Sequence, residues 1–204
     1  MKSTKQHILN NALKLFNNKG VVNVRLQHIA DEAFVSIGHL AYHFKNKDAI
    51  VGALYDDLQQ QQQQLLNEHR TVPLFTDIDA FLRAYYALQN KYIFFYLDSL
   101  EITRAYADIA KKHTQHIQWQ RTLLNVMLQF NISRGSLIPI KETGVTQLST
   151  NLRMQLDNWR YANKVEGVQN DTVESFLNAI WASISPYFTP MGIAEYKMLV
   201  TEPQ

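Results

Sequence analysis

No cysteine occurs anywhere in the 204 residues, so neither a disulfide framework nor a thiolate metal site is open to this chain. Proline is scarce and displaced: all five lie beyond residue 72. The longest purely apolar run, Tyr92–Leu97, is six residues, far short of the ~20 a helix needs to cross a bilayer. The leading Met-Lys-Ser-Thr-Lys-Gln-His has no apolar stretch of the secretory kind, and the expectation is a soluble cytoplasmic protein with no membrane partner. No Gly-x-Gly-x-x-Gly, P-loop or His-Glu-x-x-His is present, and the serines lack a glycine elbow. Enzyme activity has no positive signal, and neither cofactor nor metal is expected. His113 and His116, at i and i+3, supply at most half of a tetrahedral shell, so a solvated helix start is the simpler reading.

What is there is helix and an uneven charge. The net charge of +2 divides into +4 for residues 1–50, where seven Lys/Arg face three acids, and −2 for the rest. Four of the seven histidines also fall in the first fifty residues. That quarter has the electrostatics of a phosphate-contacting surface.

Strand signals are nearly absent, and apolar residues recur at helical spacing throughout. Ser3 and Gln6 form a capping box ahead of Ile8, Leu9, Ala12, Leu13 and Phe16, and Gly20 stops this first helix. Two short helices follow over 25–33 and 36–43, then a long one over 47–70. The six-glutamine run Gln59–Gln64 reads as a solvated part of that helix, because Ala53, Leu54, Leu58, Leu65 and Leu66 flank it in register. Pro73 marks a break, Thr76 caps a helix to about 97 with Asp79 in its first turn, and further helices fit 99–111, 113–134, 143–163 and 171–186, with a short one after Pro190. Asp171 with Glu174 reads as the cap of the last long one. The fold expected is all-α: an N-terminal three-helix helix-turn-helix domain (1–47) and a larger helical bundle (48–204).

Residues 25–48 carry the chemistry. Two short helices, a tight turn and a basic exit suit insertion of a helix into the major groove. Ala30 is the small residue where the helices cross, and Ile29, Ala33, Val35 and Leu40 face inward. Ser36, His39 and His43 lie on the open face, with Gly38 permitting close approach. Ser and His can hydrogen-bond to base edges or phosphates. Tyr42, Lys45 and Lys47 suit the backbone, and Arg25, Gln27 and Ile37 complete the candidate contact set. The bland alternative is a tri-helical packing module without DNA.

Leu15-Phe16, Lys19-Gly20, Ile29-Ala30 and Gly38-His-Leu-Ala-Tyr-His-Phe-Lys-Asn-Lys47 resemble the TetR family of bacterial transcriptional regulators. The likeness covers about fifty residues; the rest agrees in length and helical character. Three positions depart from the pattern. Arg25 stands where a Thr or Ser cap is usual, which shifts the expected cap to Asn23. Phe34 stands where the turn has glycine, so it either takes positive φ at roughly 1 kcal/mol or the turn is of another kind. Ala41 stands in place of the usual tyrosine, and Tyr42 would take its phosphate role.

The resemblance implies a dimer on a palindromic double-stranded operator and an unknown small-molecule effector. Seven aromatics lie in Phe81–Leu100. The resemblance places an effector pocket there: Tyr85, Tyr92, Phe95 and Tyr96 facing Trp119, Leu123, Met127 and Phe130, with ordinary core packing equally open for each. Asp98, Glu101 and Arg104 are candidate charged handles. Two amphipathic stripes suit a four-helix dimer interface: Val145, Leu148, Leu152, Leu156 and Trp159, and Val173, Phe176, Leu177, Ile180, Trp181 and Ile184, with intramolecular core the alternative that accounts for part of them in any case. The function expected is a repressor released from DNA by an apolar or aromatic effector. The alternative is a small-molecule-binding or scaffold protein of the same fold without specific DNA recognition.

Overall fold

The computed structural model describes residues 4–69 and 72–201. Ser3, and with it the expected first capping box, lies outside them. Ten α-helices follow in order: α1 (Thr4–Lys19), α2 (Leu26–Glu32), α3 (Ile37–His43), α4 (Lys47–His69), α5 (Phe75–Lys91), α6 (Ile93–Ala105), α7 (Ala107–Ser133), α8 (Glu142–Glu166), α9 (Val173–Ile184) and α10 (Pro190–Thr201). The all-α expectation holds: among the described residues the only extended pairing is one isolated bridge, Leu137 to Phe188. No helix there is long and apolar enough to cross a membrane. The chain divides into two compact units, Met1–Gln61 with Gln89–Thr114, and Gln62–Leu88 with Gln115–Gln204.

In the first unit, Ile8, Ala12, Phe16, Val24, Ile29, Ala30, Leu40 and Ile50 are wholly buried. Gly20 ends α1 with φ +73°, its amide donating to the Phe16 carbonyl at 2.9 Å. The cap of α2 is Arg25, not Asn23. The Arg25 amide donates to His28 Nδ1 (3.2 Å), while Asn23 Nδ2 turns back to the Lys19 carbonyl (2.8 Å). A histidine at the third helical position therefore does the work that a Glu or Gln side chain does there in a capping box.

The second surprise is where the central helices break. The expected single helix to 97 stops at Lys91 and restarts at Ile93, with Tyr92 at φ −117°, ψ 37° between them. Asn17 of α1 makes this possible, donating Nδ2 to the Lys91 carbonyl (3.0 Å) and accepting the Phe94 amide on Oδ1 (3.1 Å). A side chain seventy-odd positions away satisfies the interrupted backbone groups, so local periodicity is blind to it. The next break likewise falls at Tyr106 rather than at 112. The glutamine run does lie inside α4, although Gln62 is buried.

In the second unit, α5 begins at Phe75, which puts Thr76 inside the helix instead of capping it, and Asp77 is the first-turn acid. Asp79 is buried and accepts from Trp181 Nε1 at 2.9 Å. The α9 cap falls one residue later than expected: Thr172 Oγ1 accepts from the Ser175 amide and Ser175 Oγ from the Thr172 amide, both at 3.1 Å. Asp171 is diverted to Arg160 and Trp159 Nε1. Both expected dimer stripes turn inward. Leu148, Leu152, Leu156, Phe176, Leu177, Ile180, Trp181 and Ile184 are buried within the protomer, and Trp159 and Val173 are partly covered. An amphipathic stripe reports only that a helix has a covered side. Here the cover is the protomer's own core.

Candidate nucleic-acid interface

The helix-turn-helix is assembled by its buried residues. Ile29 and Ala30 of α2 and Leu40 of α3 are fully covered, and Ala30 admits the crossing helix. The turn closes as a Schellman motif: Phe34 N–H donates to the Asp31 carbonyl (3.1 Å) and Val35 N–H to that of Ala30 (3.0 Å). Such a motif wants a left-handed residue, and Phe34 supplies it at φ +52°, costing roughly 1 kcal/mol that glycine would avoid. Ser36 then caps α3, its Oγ accepting from the His39 amide at 3.1 Å.

This packing leaves one face of α3 open. Ser36, Ile37, Gly38, His39 and Tyr42 are exposed, and His43 is half-buried. The His39 and His43 rings lie 5.3 Å apart, and Tyr42 meets His43 edge-on at 5.2 Å. A Cβ on Gly38 would meet nothing of the protein within 4 Å. Arg25 and Gln27 are exposed at the start of α2, with Gln27 Nε2 donating to Asp31 Oδ1 at 2.7 Å. Lys45 is exposed and enters none of the ion pairs found among the described residues.

Lys47 is placed differently. It is half-buried, and its ammonium donates to the Val21 (3.0 Å) and Val24 (3.1 Å) carbonyls. It braces the α1–α2 connection, a role that no spacing rule would suggest. Nearby, Lys14 pairs with Glu32 at 2.6 Å and holds that carboxyl below its usual range.

The residues expected to line one pocket divide between the two units. Tyr92, Phe95 and Tyr96 belong to the first. There the Tyr92 hydroxyl donates to Asp57 and accepts from Gln61 Nε2 (2.7 Å); burial, then the Asp57 carboxylate, hold that phenol well above its usual range. Phe95 packs on Tyr55 (4.9 Å) and on His113 (5.1 Å). Tyr85, Trp119, Leu123 and Met127 belong to the second unit. Tyr85 donates to Asp157 Oδ1 (2.9 Å) and accepts from Gln120 Nε2 (3.1 Å). Burial pushes the Asp157 carboxyl up against the opposing pull of Tyr85 and Arg153. Met127 lines an apolar cavity of about 30 Å³ with Phe75, Ile78, Leu128, Trp181 and Ile184. His113 and His116 are not a solvated helix start: α7 opens at Ala107, and His116 is buried against Trp119 at 5.7 Å.

Asp98, Glu101 and Arg104 do share a surface. With Leu97, Leu100 and Ala105 they line an open cavity of about 560 Å³ on α6. Burial first, and the Glu101 charge second, raise the Asp98 carboxyl above its ordinary range, against a hydrogen bond from the Val21 amide. A carboxyl whose folded value is raised contributes its stability below the unfolded value and loses it as pH rises through the folded one. Asp98→Asn should therefore melt higher than wild type near neutral pH, with the gap closing below about pH 4. Thermal melts across that range check it, and a gap that widens in acid would contradict the assignment.

A family model described as bacterial regulatory proteins, tetR family, matches residues 8–54, and one described as a bacterial transcriptional repressor matches residues 57–196. Among curated relatives, the chain is 40% identical over 53 residues to the HTH-type transcriptional regulator AcrR of Shigella flexneri. That match spans 26% of this chain and only 25% of AcrR. A TetR-family regulator of known structure from Marinobacter aquaeolei superposes with a TM-score of 0.88 at 22% identity, covering 96% of this chain and 97% of that one. SmeT, solved in complex with triclosan, gives 0.64 at 17% identity over 93% of each chain. At these identities the two structures bear on the fold.

Proposed function

This chain belongs to the TetR family of bacterial transcriptional regulators, and on that premise we propose a homodimeric repressor that holds a palindromic duplex operator until a small apolar or aromatic effector binds. The observation that carries this reading is the open α3 face, presented by a buried helix crossing within the +4 quarter of the chain. In this reading Ser36, Ile37, Gly38 and His39 approach base edges. Arg25, Gln27, Tyr42, His43 and Lys45 hold sugar and phosphate, and Lys47 keeps the α1–α2 connection rigid behind them. Residues 1–47 form the DNA-reading part, and 48–204 carry effector and partner sites.

The partner copy fits a face other than the one the stripes suggested. Along α8, Gln147, Asn151, Met154, Asn158, Tyr161 and Val165 are all exposed and recur at alternating spacings of four and three. That is the periodicity of a helix–helix seam. On α9, exposed Ala182 and half-buried Ser175, Ala179 and Ser183 are small residues that permit close approach. Two recognition helices related by the resulting dyad would meet successive major grooves about 34 Å apart. An effector is supported by the buried polar cluster Tyr85–Gln120–Asp157 and by the triclosan complex of SmeT. Its binding shifts the population toward a helix spacing that no longer fits the operator.

Electrophoretic titration against genomic fragments at increasing salt tests the reading. Affinity should fall linearly on a double-logarithmic plot, and indifference to duplex DNA at low salt would overturn it. Lys45→Ala should weaken specific and random duplexes alike and lower the salt slope by about 1.

A further inference from the structure

Phe34 is unexplained by the fold. It occupies the left-handed position of the Schellman turn at φ +52°, and its ring is 94% exposed. The strain is therefore not offset by burial of the ring, and glycine would make the same turn without strain. Backbone strain of this kind persists where the side chain has a use. The use must lie outside the protomer, because nothing in the protomer covers the ring.

Its position says where. Phe34 stands two residues before the Ser36 cap, at the N-terminal end of α3, the end that a recognition helix presents to base edges. Ile37, the first residue of α3, is 45% exposed, and Gly38 beside it leaves the approach open. Two uncovered apolar side chains thus border the polar contact set Ser36, His39 and Tyr42. The apolar group that a major groove displays to such side chains is the thymine 5-methyl. We propose that Phe34, with Ile37, is a specificity determinant that reads thymine methyl groups in each operator half-site. This rests on the DNA-binding reading above and adds the base it selects.

The test begins with the duplex that the full-length protein selects from a random-sequence library. Each thymine of that duplex is then replaced by deoxyuracil, which removes the methyl and leaves pairing intact. Wild type should lose about fourfold in affinity at one thymine per half-site, the worth of a buried methyl or methylene. Phe34→Gly should bind more weakly, show no further loss at that thymine, and melt at a higher temperature than wild type. Ile37→Ala should blunt the uracil penalty at a neighbouring thymine, and it serves as the second variant.

A selected duplex without thymine in the half-site, no uracil penalty in wild type, or the same penalty in Phe34→Gly overturns the proposal. So does full operator affinity in Phe34→Gly, which would assign the exposed ring to a protein partner. Failure to select any duplex is a separate result and sinks the DNA-binding reading itself.

Discussion

A protein carrying both Tyr161→Glu and Val165→Glu should sediment as a monomer and lose about 10²–10⁴-fold in affinity for a palindromic operator. The two residues are 53% and 68% exposed, respectively, on the α8 face proposed for the partner copy, so charging them leaves the protomer's interior untouched. Across a two-fold axis the same patch serves both copies. Each substitution is then introduced from both copies, so the symmetric seam takes on four like charges. Losing the dimer uncouples the half-sites, and the second half-site no longer binds as an intramolecular event. Sedimentation equilibrium and fluorescence anisotropy read the two consequences, and circular dichroism should show unchanged helicity. A variant that stays dimeric with full operator affinity would place the interface elsewhere.

Asp171→Ala should cost about 3–5 kcal/mol of unfolding free energy. The Arg160 side chain is only 4% exposed, its Nη1 donating to Asp171 Oδ2 and its Nη2 to the Tyr86 carbonyl at 3.2 Å. Its guanidinium lies 3.8 Å from the centre of the Tyr86 ring. Asp171 also accepts from Trp159 Nε1 at 2.8 Å, and its carbonyl accepts from the Tyr86 hydroxyl at 2.7 Å. Removing the carboxylate strands a buried cation and an indole N–H together. Urea titration measures the loss. Combining Arg160→Met with Asp171→Ala should recover much of it, because no charge is then left buried without its partner. Single-variant stability within 1 kcal/mol of wild type, on the order expected of an exposed pair, would show that this pair is solvated after all.

The contrast between these two sites marks what was legible. Helical periodicity located the helices and the helix-turn-helix, because amphipathic spacing is a local property of the chain. Phe34 stands out in the sequence because its turn has one geometric demand that a single residue must meet. The break at Tyr92 was invisible, since Asn17 supplies its partners from another helix. Asp171 read as a helix cap for the same reason: its competing partner Arg160 is set by packing. The stripes on α8 and α9 mark covered faces, and hydropathy has no term for whether a second copy or the protomer's own core does the covering.

Composition and spacing alone determined an all-helical chain with a basic three-helix start, because charge, apolar period and turn residues act over a few positions. Tertiary structure alone decided that Lys45 stands exposed while Lys47 is tied to carbonyls. It also decided which face of α8 stays uncovered in the protomer. Both depend on groups brought together from distant parts of the chain, whose pairing is a property of the fold and not of any local segment.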